Sequence, residues 1–484
     1  MKRILLLSAA ALAGCTTVGP DYRQPDVPTP AHFAKSDARP TPNDAELAAW
    51  WQTFGDAQLD ALVNRAIAQN LDVQAAAARI REARAQEIVA GAESKPQVDA
   101  VGSVTRQRIS ENAIPVPPGS GGGQGVGFAL PGTEFSTFRV GFDASWEIDL
   151  FGRTRRSVEA AMARSGGALW NRRDVQVSVA AEVADAYLTL RTLQQRIATA
   201  ESELARQQRF EHLVAAKARG GLVTGQDLEQ QRSERSTAAA ALPALRAQAE
   251  AQVHALGVLT GETPEALIAE LSPAKALPPA LPAIPAGLPS DLLRRRPDIR
   301  AAERELAAST ADIGVAVADL YPSFSLTAAP ALVSTMLGSL LEWGSRSFSI
   351  GAAVDWPLLD GGRTRGNIAV ANARQEQALI AYRKAVLVAL QDVEDALSRT
   401  DGDRRQLADL EEALGTARRA EDIARSRYRG GLVTFSDVLL AQARRINLED
   451  QVTQSKGALS RDSVALFKAM GGGWPELGEA GAQP

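Results

Sequence analysis

The sequence predicts a mixed α+β membrane protein: a trimeric 12-stranded β-barrel, four strands per chain, continued by a long α-helical barrel. Three observations carry that expectation. The 484-residue chain reads as one unit written twice. Each copy holds two segments that alternate apolar and polar residues. Each copy also holds a proline-free stretch of about 66 residues, roughly 100 Å of helix at 1.5 Å per residue.

The duplication is the first thing to establish, because a missed repeat mis-assigns the whole fold. Gly220-Gly221-Leu222-Val223-Thr224 recurs as Gly430-Gly431-Leu432-Val433-Thr434, 210 positions later. The same offset pairs Trp146 with Trp356, Gly152-Arg153-Thr154-Arg155 with Gly362-Arg363-Thr364-Arg365, and Asp227 with Asp437. Upstream, Asp72 matches Asp298 and Pro96 matches Pro322 at an offset of 226, so the first copy carries an insertion between Pro96 and Trp146. The Gly- and Pro-rich run at 115–127 supplies it and reads as a loop. Each half therefore runs helix, strand, loop, strand, very long helix, turn, return helix. A linker holding Pro273, Pro278, Pro279, Pro282 and Pro285 joins them and is expected to be extended.

Over 138–148 the alternation is strict: Phe138, Val140, Phe142, Ala144, Trp146 and Ile148 on one side, Arg139, Gly141, Asp143, Ser145 and Glu147 on the other. Phe348, Ile350, Ala352, Val354 and Trp356 repeat it; Phe324, Leu326 and Ala328 give a third segment, and 98–109 a weaker first. Period two means one apolar and one polar face, which suits a membrane barrel with a wet lumen. A soluble sandwich that buries the apolar face fits the strands alone about as well. No stretch after Cys15 approaches the roughly 18 apolar residues of a membrane helix, so any crossing must use strands. Four strands cannot close a barrel, and open edges are not tolerated in lipid. A trimer with twelve strands is the simplest closed solution.

In the long helices, core-facing positions run Val183, Ala186, Leu190, Leu193, Ile197, Ala200, Leu204 in the first, and Val386, Leu390, Val393, Leu397, then Leu407, Leu410, Leu414, Ala417 in the second. The 3-4 spacing is a coiled-coil seam, with Ala allowing close approach. Helical hairpins this long bury such a stripe side by side in a cylinder, not in a globule.

Lys2 and Arg3, an apolar run over 4–12, then Leu12-Ala13-Gly14-Cys15 form a secretory signal. It resembles a bacterial lipoprotein signal, in which the cysteine is lipidated; an ordinary signal peptide with a stray cysteine is the plainer alternative. Thr16, where an aspartate favours inner-membrane retention, points to the outer membrane. Composition removes other classes. With 53 basic and 57 acidic residues there is no basic excess to attract nucleic acid. Three histidines and one cysteine leave few parts for catalysis or a metal site, and neither is expected.

Further motifs now combine. Gly19-Pro20-Asp21-Tyr22 and Pro25 follow the cysteine, then Trp50-Trp51 with Phe54. Asp149-Leu150-Phe151-Gly152-Arg153 follows the second strand and Leu359-Asp360-Gly361-Gly362-Arg363 the fourth, and Arg295-Arg296-Pro297-Asp298-Ile299 with Ala302-Glu303 opens the second half. On these motifs the chain resembles the outer membrane factors of tripartite efflux systems, the NodT-type outer membrane lipoproteins of the TolC-like family. The resemblance implies a homotrimer with a periplasmic α-barrel, and an equatorial belt built from both termini and the linker. It implies passive export, an inner-membrane RND-type transporter, a periplasmic adaptor (membrane fusion) protein, contact with outer-membrane lipid, and no cofactor beyond the covalent lipid on Cys15. The expected segments are then a signal peptide at 1–14; a lipidated extended segment and equatorial part at 15–55; an α-barrel helix at 56–95; strands one and two with an extracellular loop at 96–152; long and return helices at 153–261; the equatorial linker at 262–290; a helix at 291–321; strands three and four at 322–362; long and return helices at 363–471; and a tail at 472–484.

The turns Gly220-Gly221 and Gly430-Gly431 are expected at the periplasmic tip, in contact with the adaptor. Asp227 and Asp437 follow Thr224 and Thr434 by three residues, so each pair is a candidate helix cap. The rival reading places both carboxylates in the pore as a gate, with the Tyr428 hydroxyl offered to Asp227, as the resemblance implies. It is weaker at Leu440, where relatives often carry a second aspartate. Export of small molecules is favoured, with metal-ion efflux and protein secretion as alternatives. An enzyme and a coiled-coil scaffold are the rivals outside export. His32, His212 and His254 are scattered and lack ligand partners at i+4, and a scaffold has no use for four amphipathic strands. The mature N-terminal peptide is expected to begin at an acylated Cys15; mass spectrometry showing an unmodified peptide with another start refutes lipidation.

Overall fold

The computed structural model describes residues 17–35, 44–108, 134–279, 281 and 287–474. The signal peptide, Cys15, the 115–127 run, Pro282, Pro285 and the tail beyond 474 lie outside the described residues. In chain order come α1 (Asp44–Ala48), a 3-10 turn (Trp50–Phe54), α2 (Ala57–Gln69), α3 (Leu71–Ala92), β1 (Gln97–Arg108), β2 (Glu134–Ile148), α4 (Arg153–Arg219) and α5 (Gly225–Leu259). After α6 (Ile268–Leu271) and α7 (Pro289–Arg295), the second half runs α8 (Pro297–Ala318), β3 (Ser323–Ala328), β4 (Ala331–Ser334), β5 (Arg346–Ser347), β6 (Ile350–Asp355), α9 (Arg363–Arg429) and α10 (Phe435–Ala469). Residues group into two compact units, one of Met1–Gln24, Glu82–Ser165 and Glu305–Leu379, the other of Pro25–Arg81, Gly166–Arg304 and Ile380–Pro484.

The first unit holds an antiparallel sheet. β1 pairs with β2 from Gln97 opposite Ser145 to Arg108 opposite Glu134. β3 and β4 meet β2 in one continuous register, Ala328 opposite Ala144 and Ala331 opposite Gly141. They are one pass, interrupted at Ala329-Pro330 because proline has no N–H for the ladder. The Pro330 carbonyl still accepts from Phe142 N at 2.9 Å. β6 and β5 likewise form a single pass against β3 and β4. The sequence's four strands are therefore present, with the third and fourth each broken once and the second starting earlier than the strict alternation at 138.

Side chains sort as the pleat demands. On one face Ala144, Ala328 and Ile350 lie in a row, and Trp146, Leu326 and Ala352 in the next. That face is bare: Phe348 is 78% and Ile350 80% exposed, with Phe142 and Val140 also exposed. The other face places Asp99 opposite Asp143, which accepts from Arg139 at 2.7 Å. No described residue covers the apolar face, so the soluble sandwich loses its support. The duplication reaches single hydrogen bonds. Trp146 Nε1 donates to the Ser94 carbonyl and Trp356 Nε1 to that of Leu320, both at 3.0 Å.

Each long helix starts against a carboxylate. Asp360 accepts from Gly362 N, Thr364 N and the Thr364 hydroxyl, which hold its carboxyl down to about 2. Asp149, one position earlier in its repeat, accepts from Arg155 N instead. The Gly19-Pro20-Asp21 motif is pinned to the start of α4. Buried Arg156 donates to the Val18 and Gly19 carbonyls and to Asp21. Gly19 sits so close to Gly314 that a Cβ would stand 2.4 Å from its Cα.

In the second unit the Trp50-Trp51-Phe54 motif is core: Trp50 is fully buried and stacks on Phe467 with ring centroids 5.2 Å apart. The helix expected at 56–95 is two helices, broken at Asn70, whose side chain caps α3 through Asp72 N at 2.8 Å. The one expected at 291–321 breaks at Arg296 before Pro297, as a residue preceding proline leaves helical geometry. The expected extended linker contains α6. Along α4, Val183, Ala186, Leu190 and Leu193 are buried as expected, but Ile197, Ala200 and Leu204 are only half-buried, and Glu203 and Gln207 take the inward positions. In α9 the buried positions are Val386, Ala389, Val393 and Ala396, with Leu390 and Leu397 half-buried. Alanine wins these places because a small side chain lets the helices approach.

The two sheet faces separate in one experiment. Phe142→Arg or Ile350→Arg on the bare apolar face is expected to cost about 2–4 kcal/mol near a bilayer midplane. Ser145→Arg and Ser349→Arg, on the polar face, are expected to be tolerated. Denaturant unfolding from lipid vesicles reads the difference, and equal costs on both faces contradict the assignment.

Candidate gate at the helical hairpin turns

The two hairpin turns share one backbone device. α4 stops where Gly221 takes φ 71° and α9 where Gly431 takes φ 73°, a region that a side chain strains. Gly221 N donates to the Ala218 carbonyl at 3.0 Å and Leu222 N to that of Lys217 at 2.9 Å; Gly431 and Leu432 repeat both bonds to Tyr428 and Arg427 at the same lengths. This two-bond left-handed stop satisfies carbonyls that the helix end orphans. Gly220 and Gly430 have ordinary backbone angles, and a Cβ there meets its neighbours no closer than 3.5 Å. Of the four turn glycines, only the second of each pair is required by the turn itself.

Three residues after each stop, a reciprocal cap restarts the chain. Asp227 accepts from Thr224 N at 2.9 Å, while the Thr224 hydroxyl accepts from Asp227 N at 3.2 Å. Thr434 and Asp437 do the same at 2.8 and 3.4 Å. These bonds place a carboxylate at the positive end of each return helix. The Thr434 hydroxyl, donating to the Asp437 carboxylate at 2.6 Å, and then the Thr434 amide draw the Asp437 carboxyl below its ordinary value. The capping role anticipated for Asp227 and Asp437 is thus present in both halves.

Tyr428 makes its described contacts in an aromatic cluster. Its ring packs at 5.7 Å from Phe435, with the Lys217 ammonium 5.3 Å above it. Within one chain no described hydrogen bond joins Tyr428 to Asp227. Phe210 meets Phe435 at 5.1 Å, and buried Val214 and Leu439 complete the cluster with Val223 and Leu228 at its edge. The aromatic cluster ties the first hairpin, through α4, to the second, through α10.

Behind it runs a polar seam that sequence reasoning missed. Gln231 donates to Gln207 at 2.6 Å, and Gln207 and Gln442 donate to Glu203 at 2.7 and 2.8 Å. Buried Arg445 reaches Glu203 at 3.3 Å and also bonds Glu421 and Glu449. Arg196 grips Asp450 twice, at 2.7 and 3.1 Å. Gly457 lies so close to Thr192 that a Cβ would stand 2.3 Å from its Oγ1. The available signal was Glu203 and Gln207 falling between apolar seam positions. Pattern reading passes over polar residues at such positions, and two of the partners of Glu203, Gln442 and Arg445, are more than two hundred residues away. Among the described residues no group of three or more His, Cys, Asp or Glu is placed to hold a metal ion, and no helix is long and apolar enough to cross a membrane.

Residues 62–262 and 288–472 match the family described as "Outer membrane efflux protein". Over 98% of its length the chain is similar to the pyoverdine export outer membrane protein OpmQ of Pseudomonas aeruginosa, 32% identical across 479 residues and covering 97% of that protein. It is similar to nodulation protein T of Rhizobium leguminosarum bv. viciae, 30% identical across 481 residues, with 97% of this chain and 92% of that one covered. Among solved structures it is similar to the outer-membrane channel OprN, with TM-score 0.83 and 33% identity over 94% of this chain and 99% of that chain.

The cap at Thr434 has a measurable signature. Thr434→Ala is expected to cost about 1 kcal/mol and to speed hydrogen exchange in the first turn of α10. A depressed carboxyl stabilises the fold fully above its unfolded value of 3.8, and that contribution fades as pH falls through the lower folded value. Protection in this turn, corrected for the intrinsic exchange rate, should therefore fall only below about pH 4. In Asp437→Asn that step should be gone, and a step that survives it belongs to another group.

Proposed function

Because this chain belongs to the outer membrane efflux protein family, we propose that it serves as the outer-membrane exit duct of a tripartite, RND-type efflux pump, a passive path for small molecules. Its fold class is the family's: a trimeric 12-stranded β-barrel, four strands per chain, continued by an α-helical barrel. One observation carries the reading. A bare apolar sheet face sits in the same chain as two 67-residue helices that end in matching turns. Among the described residues the sheet has an unpaired side at β1 and another along the β5–β6 pass, and further copies of the chain can pair them in lipid.

The chain's parts divide the task. The alternating strands present apolar side chains to lipid and Asp99, Asp143 and Arg139 to the lumen. Acyl chains on Cys15 add an anchor worth about 0.8 kcal/mol per buried CH₂. The turns at Gly220-Gly221 and Gly430-Gly431 form the adaptor-facing periplasmic end. Asp227 and Asp437, beyond their capping role, face the pore there, with Tyr428 holding the adjoining helices together. The duct performs no catalysis, because the transporter supplies the energy and selects the cargo.

Purified protein in planar bilayers tests this directly: a trimer by light scattering, with discrete channel conductance, is expected. A stable monomer with intact β-content refutes it. Asp227→Ala with Asp437→Ala should raise single-channel conductance and weaken block by multivalent cations. Unchanged conductance and block in a trimer that melts lower would leave capping as the only role of these aspartates.

A further inference from the structure

Among the described strand residues, the apolar face carries charge only at its loop end, away from the helices. On the fourth pass that face runs Trp356, Val354, Ala352, Ile350, Phe348 and then Arg346. The register fixes the side: Arg346 lies opposite Leu332, and Leu332 opposite Val140. On β1 the same face runs Val98, Ala100, Gly102, Val104 and then Arg106 and Arg108. The duplication sets Arg346 and Arg106 at one level. Position 346 corresponds to Ser136 at the 210-residue offset, and Ser136 stands opposite Arg106. Trp356 and Trp146 stand ten residues from Arg346 and Ser136, at the end joined to the helices. Ten residues of strand run about 33 Å, and at a barrel tilt of roughly 40° they rise about 25 Å, the height of the apolar band. The arginines therefore stand at the far rim of that band. A lipid-facing arginine is costly at the bilayer midplane and well tolerated at the interface.

Arg346 is held in place without being neutralised. Its Nε donates to the Trp343 carbonyl at 2.7 Å, and its guanidinium lies over the Trp343 ring, 3.1 Å from the centroid. Among the described residues no carboxylate pairs with it. Arg106 and Arg108 share Glu134, at 3.1 and 3.5 Å, two cations on one anion. The loop between β4 and β5 is pinned from within, where the Ser345 hydroxyl donates to the Ser339 carbonyl at 2.6 Å and Leu340 is buried. Trp343 and Leu341 are turned outward, 77% and 84% exposed. An indole suits a membrane interface, where its body meets apolar chains and its edge stays wet. Beside Arg346 a shallow trough opens on the apolar face, lined by Val140, Phe142, Leu332 and Phe348. Gly102, opposite Val140, adds no side chain to fill it.

We propose that this trough is a binding site for an anionic phospholipid at the outer rim of the barrel. An acyl chain lies along Val140, Phe142 and Phe348, and Arg346 holds the phosphate, with Arg106 and Arg108 as the matching phosphate contact of the first half. This rests on the reading of the sheet as the wall of a membrane barrel. The guanidinium fork matches phosphate oxygens two at a time, which a point charge does not. A free phosphate ion would use the arginine alone; a lipid fills the cation and the apolar trough together.

The full-length protein, reconstituted in phosphatidylcholine vesicles with either phosphatidic acid or diacylglycerol of the same acyl chains, tests the site. Native mass spectrometry after transfer to mild detergent counts the lipids each trimer retains. The unaltered protein is expected to keep phosphatidic acid in preference to diacylglycerol and phosphatidylcholine. Arg346→Gln should lower that preference about fivefold, and adding Arg106→Gln with Arg108→Gln should lower it again. Arg346→Lys, which keeps the charge and loses the fork, should lower it by a smaller factor. Arg405→Gln, which removes an exposed arginine of α9, should leave it unchanged. Conductance in planar bilayers reports that each variant is assembled. An assembled Arg346→Gln variant that retains phosphatidic acid undiminished overturns the proposal, as does unaltered protein that keeps diacylglycerol equally well. Release of the bound lipid by an equal concentration of inorganic phosphate assigns the arginine to a free anion and overturns the lipid site. A chain that never enters the vesicles overturns the barrel reading, and this proposal with it.

Discussion

Backbone amides cannot go unpaired in hydrocarbon, and most of this structure follows from that. The described residues supply four strand passes, and among them β1 and the β5–β6 pass each keep one unpaired side. In water such edges can be solvated; in lipid each orphaned group costs several kcal/mol. Closure by other copies is therefore part of the fold, and the exposed Phe348 and Ile350 find their environment only in the bilayer.

Trimeric closure imposes a second demand, on the helices. A helix of 67 residues has far too much surface to bury within one chain, and its inward stripe must be matched by neighbours. Alanine and glycine at the closest contacts permit the approach, as at Gly457 against Thr192. The hairpin turns reverse the chain with few residues, because a left-handed glycine and a reciprocal Thr–Asp cap satisfy the helix ends almost completely. With its backbone needs met locally, each turn leaves its side chains free for other work. Leu222 and Leu432, exposed at both turns, are presented outward and not spent on the turn.

Duplication and divergence have acted on different layers. The backbone devices are copied: stop, cap, Trp hydrogen bond and helix-start carboxylate. The packing between hairpins is not: Phe210 and Phe435 correspond to Ala420 and Gly225, and the Arg445 partners Glu203 and Glu449 correspond to Ala413 and Ala239. A fully partnered buried arginine adds little net stability over an apolar isostere, yet it strongly penalises any shift that strips one partner. Such a contact suits a joint that holds one geometry.

Much of the architecture was legible in the sequence because it rests on local periodicity. Period two marked the strands and the sides their residues take, the 3-4 spacing and missing prolines marked the long helices, and the Gly-Gly-Leu-Val-Thr repeat marked the turns. The caps at Asp227 and Asp437 were readable because both partners stand within one helical turn. Tertiary structure alone decided the rest, wherever the partner is distant in the chain. Nothing local told Leu390 to yield its inward place to Ala389, or Glu203 to sit buried, since Gln442 and Arg445 that answer it come from the other half. Tyr428 belongs to an aromatic cluster for the same reason: Phe435 and Lys217 reach its ring only after the two hairpins pack. Sequence sets what each segment can form, and the low cost of matching polar and apolar surfaces across the fold selects which faces meet.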